Sequence, residues 1–94
     1  MDRAQTIELL NATHEFPCAY ELKVIGVAAD GFVARVVLAM REEIAGGMDP
    51  PYRLRRTPGG RHVSITLEPT LESAEQVLGI YDRIRAVDGV VLTM

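Results

Sequence analysis

Basic side chains around a glycine turn are the part of this sequence best equipped to do chemistry. No acidic residue occurs from Pro50 to Leu67, and the basic residues of that segment are Arg53, Arg55, Arg56, Arg61 and His62. Guanidinium groups hold carboxylates and phosphates through paired hydrogen bonds, and backbone N–H groups at Gly59-Gly60 can add to such a site. The segment therefore predicts an anion-binding hairpin. The alternative is an edge strand whose charges only prevent pairing with another chain.

Nucleophilic, acid–base and metal chemistry have less support in the sequence. His14 and His62 lie far apart, and neither has a cysteine or carboxylate at metal-ligand spacing, so we predict no metal and no cofactor. Cys18 has no neighbouring base, which is typical of a small apolar residue rather than a reactive thiolate. The segment from Gly26 to Phe32 only loosely resembles the phosphate loop of acylphosphatases, because it contains no arginine. We therefore predict no catalytic residue and no enzyme activity.

The spacing of apolar residues predicts the elements that position this hairpin. Capping boxes at Asp2/Gln5 and Ser73/Gln76 each precede a helix, and strict alternation indicates half-buried strands. The predicted elements are a short helix within residues 1–12, a strand over Ala19–Val27, a helix that Asp30 or the residue before it starts as N-cap and that ends at about Ala45, a strand over Tyr52–Arg56, a strand over Arg61–Glu68, a helix over Ala74–Arg85 and a last strand from Val90. Pro58 and Gly59 predict a type II turn that pairs the second and third strands as a hairpin. Gly79 is expected to let the last helix approach the sheet closely.

This order of elements predicts an α+β fold, the ferredoxin-like βαββαβ sandwich, with strand order 4-1-3-2 and both helices on one face. Residues 1–14 are then an N-terminal helical extension and residues 15–94 one domain. The helix-covered face is predicted to carry Tyr20, Leu22, Val24, Val63, Ile65, Leu67, Val90 and Leu92. The open face is predicted to carry Lys23, Ile25, Arg53, Arg55, His62, Ser64, Thr66, Val91 and Thr93.

Composition narrows the classes of function. The chain has 94 residues, 48% of them hydrophobic and 24% charged, which suits one folded domain. A net charge of −3 argues against general nucleic-acid binding, and the exposed positions of the central strands lack the aromatic residues on which RNA bases stack. A lone cysteine and the lack of a long apolar run lead us to expect a cytoplasmic protein without membrane contact.

Several segments resemble the YbeD-like family of small bacterial proteins. The resemblance covers roughly residues 15–94, and its marks are Phe16-Pro17, Lys23-Val24 with Gly26, Val63-Ser64-Ile65-Thr66, and Glu75-Gln76-Val77 with Tyr81. It implies a plait similar to the ACT regulatory domains, which bind small effectors, and some members carry a lipoate-linked regulatory label. None of these marks is a catalytic signature, and the resemblance transfers no ligand-contacting residue.

Two hypotheses follow. The first is a non-catalytic regulatory or adaptor domain that binds a small metabolite or a protein partner through the open sheet face, with Lys23, Ile25, Ser64 and Val91 as candidate contacts. The second is binding of a phosphorylated ligand or, less favoured, a nucleic acid at the hairpin, with Arg53, Arg55, Arg61 and His62 as candidates. In either case we expect a monomer or a weak homodimer.

Overall fold

The computed structural model describes residues 2–44 and 46–94. Three helices and six strands alternate along this part of the chain. In chain order they are α1 (Arg3–Thr13), β1 (Cys18–Ala19), β2 (Leu22–Val27), α2 (Phe32–Arg41), β3 (Tyr52–Arg56), β4 (His62–Leu67), β5 (Thr70–Leu71), α3 (Ala74–Arg85) and β6 (Val90–Thr93). The protein is therefore of the α+β class. Within residues 2–44 and 46–94, no helix has the length and apolar character needed to cross a membrane.

Four strands form one antiparallel sheet in the order β3-β4-β2-β6. Counted along the chain as first to fourth, they lie in the order 4-1-3-2. The central pair, β2 and β4, is in continuous register from Leu22 opposite Leu67 to Val27 opposite His62. Strands β3 and β6 therefore form the two edges.

The core lies between one face of this sheet and helices α2 and α3. Every second residue of β2 and β4 is buried there, as period-two alternation requires. The buried residues of the sheet face are Leu22, Val24, Val63, Ile65 and Leu67, and those of the helices are Phe32, Val36, Val37, Met40, Ala74, Val77, Ile80 and Ile84. Within residues 2–44 and 46–94 no helix covers the opposite face of the sheet, since α2 and α3 both pack their apolar sides on the same core.

The first predicted strand is interrupted. It divides at Tyr20 and Glu21 into β1 and β2, and β1 leaves the main sheet to pair with β5, with Cys18 opposite Leu71. The Tyr20 N–H donates to the carbonyl oxygen of Pro69 (2.9 Å), which anchors the interruption. The sequence does not predict the two-residue strand β5, because two residues are too few to show alternation.

The helix ends follow the predicted caps in part. The Asp2/Gln5 capping box is confirmed in both directions, and α3 has the predicted bounds, with the Ser73 hydroxyl accepting from the Gln76 N–H. The N-cap prediction for Asp30 is wrong, because α2 begins one residue later behind Gly31, whose φ of 79° is left-handed and which offers no capping side chain. Helix α2 ends at Arg41, and the predicted end at Ala45 lies outside the described residues.

Gly79 serves the helix pair rather than the sheet. A Cβ at this position would lie 3.2 Å from a carboxylate oxygen of Glu43, which follows α2. The same Glu43 binds the Arg83 guanidinium, and its carbonyl oxygen accepts from Gln76 Nε2 at 2.7 Å. The expected close approach to the sheet is therefore wrong, and Gly79 makes room for the polar contact that joins α2 to α3.

A β-bulge changes the facing of the last strand. Gly26 lies opposite Val90 and Ile25 lies opposite Leu92, so Val91 is the extra residue. Leu92 therefore shares the open face with Ile25 and is 49% exposed, whereas Thr93 lies opposite Val24 on the helix-covered face. The predictions for Leu92 and Thr93 were both wrong, because the extra residue reverses the alternation that simple pairing would give.

Candidate functional site

The register of three strands gathers basic and hydroxyl side chains on the open face. Lys23 on β2 lies opposite Thr66 on β4, and Thr66 lies opposite Arg53 on β3. The next row on this face contains Ile25, Ser64 and Arg55 in the same order. Side chains directly opposite each other in antiparallel strands have Cβ atoms about 5 Å apart. We call Lys23, Arg53, Arg55, Ser64 and Thr66 the basic face.

A recess of about 420 Å³ lies over the basic face, and Leu54 completes its lining. The two hydroxyl residues form its floor, since they belong to the covered central strand β4, and Thr66 is only 9% exposed. The cations come from the strands on either side. This is a shallow site with donors on its floor and positive charge at its rims, which suits an anion better than an apolar ligand.

Few acidic groups oppose these cations. Arg53 pairs with Glu68 (Nη1 to Oε1, 3.3 Å), and both side chains are well exposed. Exposed ion pairs of this kind contribute between zero and about 1 kcal/mol, so a carboxylate from outside can replace Glu68 at little cost. Within residues 2–44 and 46–94, neither Lys23 nor Arg55 has a carboxylate oxygen within salt-bridge distance. The basic face therefore retains positive charge in an acidic protein.

The hairpin turn stands apart from this face. Thr57 to Gly60 forms the predicted tight turn, with Gly59 at φ 88° and the Gly60 N–H donating to the Thr57 carbonyl oxygen at 2.9 Å. That N–H is consumed by the turn itself and is not offered to a ligand. Arg61 follows the turn and is exposed, beyond the recess that Arg53 and Arg55 line. The structure thus separates Arg61 from the two other predicted arginines of the hairpin.

The remaining candidates are at the margins of the face. His62 is half-buried opposite Val27 at the turn end of β4. Ile25 is half-buried between Ser64 and Leu92, and Val91 is 61% exposed at the bulge. Sequence reasoning missed Leu92 as a neighbour of Ile25, because three consecutive apolar residues give no alternation from which a bulge could be read.

A second small, open cavity lies between α1, α3 and the end of the sheet. It has about 320 Å³ and is lined in part by Leu10, Tyr20, Tyr81 and Thr93. Burial, with the neighbouring Tyr20 hydroxyl as the second cause, raises the pKa of Tyr81 well above its usual value. The fold therefore favours the neutral form of this phenol. Among the described residues no cluster of His, Cys, Asp and Glu could hold a metal ion.

Comparison with known proteins places the chain in a family. Residues 11–94 match the family described as "Protein of unknown function (DUF493)". The chain is similar to a UPF0250 protein of Shewanella sediminis (36% identity, covering 81% of this chain and 84% of the relative) and to one of Shewanella woodyi (34%, with the same coverage).

A solved structure shows the same fold. The solution structure of protein HP0495 from H. pylori superposes with a TM-score of 0.63 at 18% sequence identity, covering 86% of this chain and 85% of that one. At this identity the likeness concerns the fold alone. The family match spans nearly the whole described domain, and the YbeD-like resemblance seen in the sequence is confirmed: the chain belongs to the DUF493 family, to which the UPF0250 proteins are similar.

Proposed function

We propose that this protein is a non-catalytic regulatory or adaptor domain that binds an anionic group on the basic face. The group is a carboxylate or phosphate carried by a small metabolite or by a protein partner. The observation that carries the proposal is the cross-strand register that puts Lys23, Arg53 and Arg55 around the hydroxyls of Ser64 and Thr66. The strand order and the two helices on one face support a ferredoxin-like, ACT-like layout, in which the open face is free for such a role.

The physical basis is a charge arrangement that the fold alone does not need. Edge strand β3 needs some charge to stay unpaired, but Lys23 lies on a central strand, where an edge-protecting charge has no purpose. An anion in the recess would be reached from both sides, by Lys23 on β2 and by the arginines on β3. Guanidinium and ammonium groups bind such anions more strongly than neutral donors do, and added salt weakens the attraction between exposed charges.

Binding of the anion at the hairpin turn is the alternative, and substitutions can distinguish it from binding on the basic face. Arg61 serves as the matched control, because it is an exposed arginine outside the recess. If the basic face is the site, replacing Arg55 weakens binding and replacing Arg61 does not. The reverse result would place the anion at the turn.

The test is a titration of the ¹⁵N-labelled protein with a pool of phosphorylated and carboxylic metabolites, lipoate included, followed by amide NMR spectra. Shifts should gather on Lys23, Arg53, Arg55, Ser64 and Thr66, and they should shrink as NaCl is raised from 20 to about 300 mM. Arg55→Ala and Lys23→Ala should each weaken binding several-fold, with Arg61→Ala close to the parent. Binding that neither variant weakens would overturn the proposal.

A further inference from the structure

Strand β3 is the most exposed strand of the main sheet. All five of its residues are exposed, and its inner edge alone is paired, with β4. The bonds at the two ends of the hairpin fix which groups face inward: the Thr57 N–H donates to His62 and the Glu68 N–H donates to Pro51. In antiparallel pairs the hydrogen-bonded positions alternate, so Arg53 and Arg55 also face β4. The N–H and C=O groups of Tyr52, Leu54 and Arg56 therefore point outward.

A groove runs beside this edge on the helix side. It lies between α2 and β3, has about 710 Å³, and is lined in part by Val33, Val37, Leu38, Tyr52 and Arg56. Leu38, Tyr52 and Leu54 are each about half exposed. The side chains of Tyr52, Leu54 and Arg56 lie on this helix side, because they are opposite Leu67, Ile65 and Val63. A strand added to β3 would therefore have basic residues along one face and a partly apolar groove along the other.

We propose that β3 accepts an extended acidic segment of another protein as a fifth strand of the sheet. This inference rests on the proposed function, since it identifies the anion as carboxylates on that segment. Every second residue of the added strand would lie on the basic face beside Arg53 and Arg55. The intervening residues would lie on the groove side beside Leu54. The fitting pattern is thus acidic residues alternating with apolar ones.

Charge argues against a second copy of this chain as the added strand. Antiparallel pairing of two copies about Leu54 puts Arg53 opposite Arg55 of the second copy. Pairing about Arg53 puts Arg53 opposite its own equivalent, and pairing about Arg55 does the same for Arg55. Like charges directly opposite destabilise a strand pair. An acidic segment meets the same positions with opposite charge, so the partner is a different protein.

The probe is a synthetic peptide in which three glutamates alternate with two valines. In antiparallel addition the valines oppose the outward residues of β3, so their N–H groups bond to it; in parallel addition the glutamate N–H groups do so. One version is N-methylated at the two valines and its matched control at the last two glutamates, so that both carry two methyl groups. Both versions keep the composition and the charge. We expect one of the two to bind at least tenfold more weakly than the other, measured by calorimetry or NMR.

Two substitutions at one position test the same backbone contact from the protein side. Leu54→Pro removes the outward N–H and leaves the bonds to β4 in place, while Leu54→Ala removes the same side chain and keeps that N–H. The peptide should bind Leu54→Pro at least tenfold more weakly than Leu54→Ala. If the proline variant does not fold, the two N-methylated peptides still decide the question.

The outcomes separate strand addition from the basic-face proposal. Equal binding of both methylated peptides, or of both Leu54 variants where the proline variant folds, overturns strand addition; weakening by Arg55→Ala would then leave the basic face standing. Peptide binding that is unaffected by Arg55→Ala overturns the proposed function; Lys23→Ala should change peptide binding little, because β2 lies three strand spacings, about 14 Å, from the added strand. A concentration-dependent dimer, seen by sedimentation and abolished by Leu54→Pro, would overturn the inference in favour of a second copy.

Discussion

The two edges of the main sheet avoid uncontrolled pairing by different means. Strand β6 has four residues and a bulge at Val91, and α3 and the cavity below α1 lie against its helix side. Strand β3 has five residues in unbroken register and relies on the charges of Arg53, Arg55 and Arg56. Bulges and charges are both known ways to protect an edge. A bulge and a row of charges differ in which added strands they exclude.

A bulge distorts the backbone and so rejects any added strand, whatever its charge. Arginines reject only a strand that is itself basic or that is a second copy of β3. The shape of the β6 edge therefore prevents any strand from pairing with it. The charge of the β3 edge prevents only basic strands from pairing, so an acidic strand can still be added there. The predictions below test this difference, beginning with the largest expected effect.

Substitution of Gly26, which lies on β2 opposite β6, should destabilise the protein more than any other change at this edge. A Cβ here would overlap the Phe32 ring and lie 2.7 Å from the Gly89 carbonyl oxygen, so both the core and the bulged edge would have to move. We expect Gly26→Ala to lower the free energy of unfolding by about 3 kcal/mol, at the upper end for overpacked cores. Urea denaturation measures this. Leu54→Ala on β3 is the comparison, and its loss should stay below about 1 kcal/mol, because the side chain is half exposed. Equal losses would remove the distinction between the edges.

Proline substitutions should distinguish the two sides of β3. Arg55→Pro removes an N–H that faces β4, while Leu54→Pro removes one that faces outward. Leaving a buried carbonyl without its donor costs about 1 to 3 kcal/mol. Arg55→Pro should therefore be less stable than Leu54→Pro by that amount, as measured by chemical denaturation. Equal stability of the two variants would mean that the outward edge of Leu54 is not free.

Serine substitutions in β6 should locate the bulge. Val90 packs against the core, whereas Leu92 lies on the open face beside Ile25. We expect Val90→Ser to cost about 1 kcal/mol more than Leu92→Ser, because only the first puts a hydroxyl against the core. Strict alternation without a bulge would put both residues on the core and give similar losses. Thermal unfolding of the two variants decides between these outcomes.

The sequence predicted the elements that depend on local signals. Ser73 and the apolar spacing after it gave the bounds of α3, and Pro58-Gly59 gave the hairpin. The sequence-based predictions failed where tertiary contacts determine the local structure. The bulge lies where Gly26 packs closely on the Phe32 ring, a contact that no local pattern shows, and α2 begins behind Gly31 rather than behind Asp30.

The candidate site followed the same rule. Alternation alone put Lys23, Ser64 and Thr66 on the open face. Arg53 and Arg55 were predicted on the same face, but they were assigned to a hairpin site with Arg61 and His62. Alternation does not give the register that brings Arg53 beside Thr66 and Arg55 beside Ser64. The order Tyr-Arg-Leu-Arg-Arg already shows one largely apolar side and one basic side of β3, but a side-chain pattern does not show that the backbone groups of Leu54 point outward.

Alkaline pH should lower the stability of the folded protein through Tyr81, which lies near β6. This is the smallest of the expected effects. The pKa of Tyr81 is raised in the folded protein, mainly by burial, so the fold favours the neutral phenol. Below the unfolded pKa near 10 both states are protonated and stability does not change. Above it the unfolded chain releases a proton that the folded chain retains, so stability falls by at most about 1.4 kcal/mol per pH unit. Urea midpoints between pH 9 and 11 should fall less steeply for Tyr81→Phe than for the parent protein. If the urea midpoints of both proteins fell equally with pH, Tyr81 would not be held neutral below α1. The packing on the helix side of β6 would then be looser than the structure indicates.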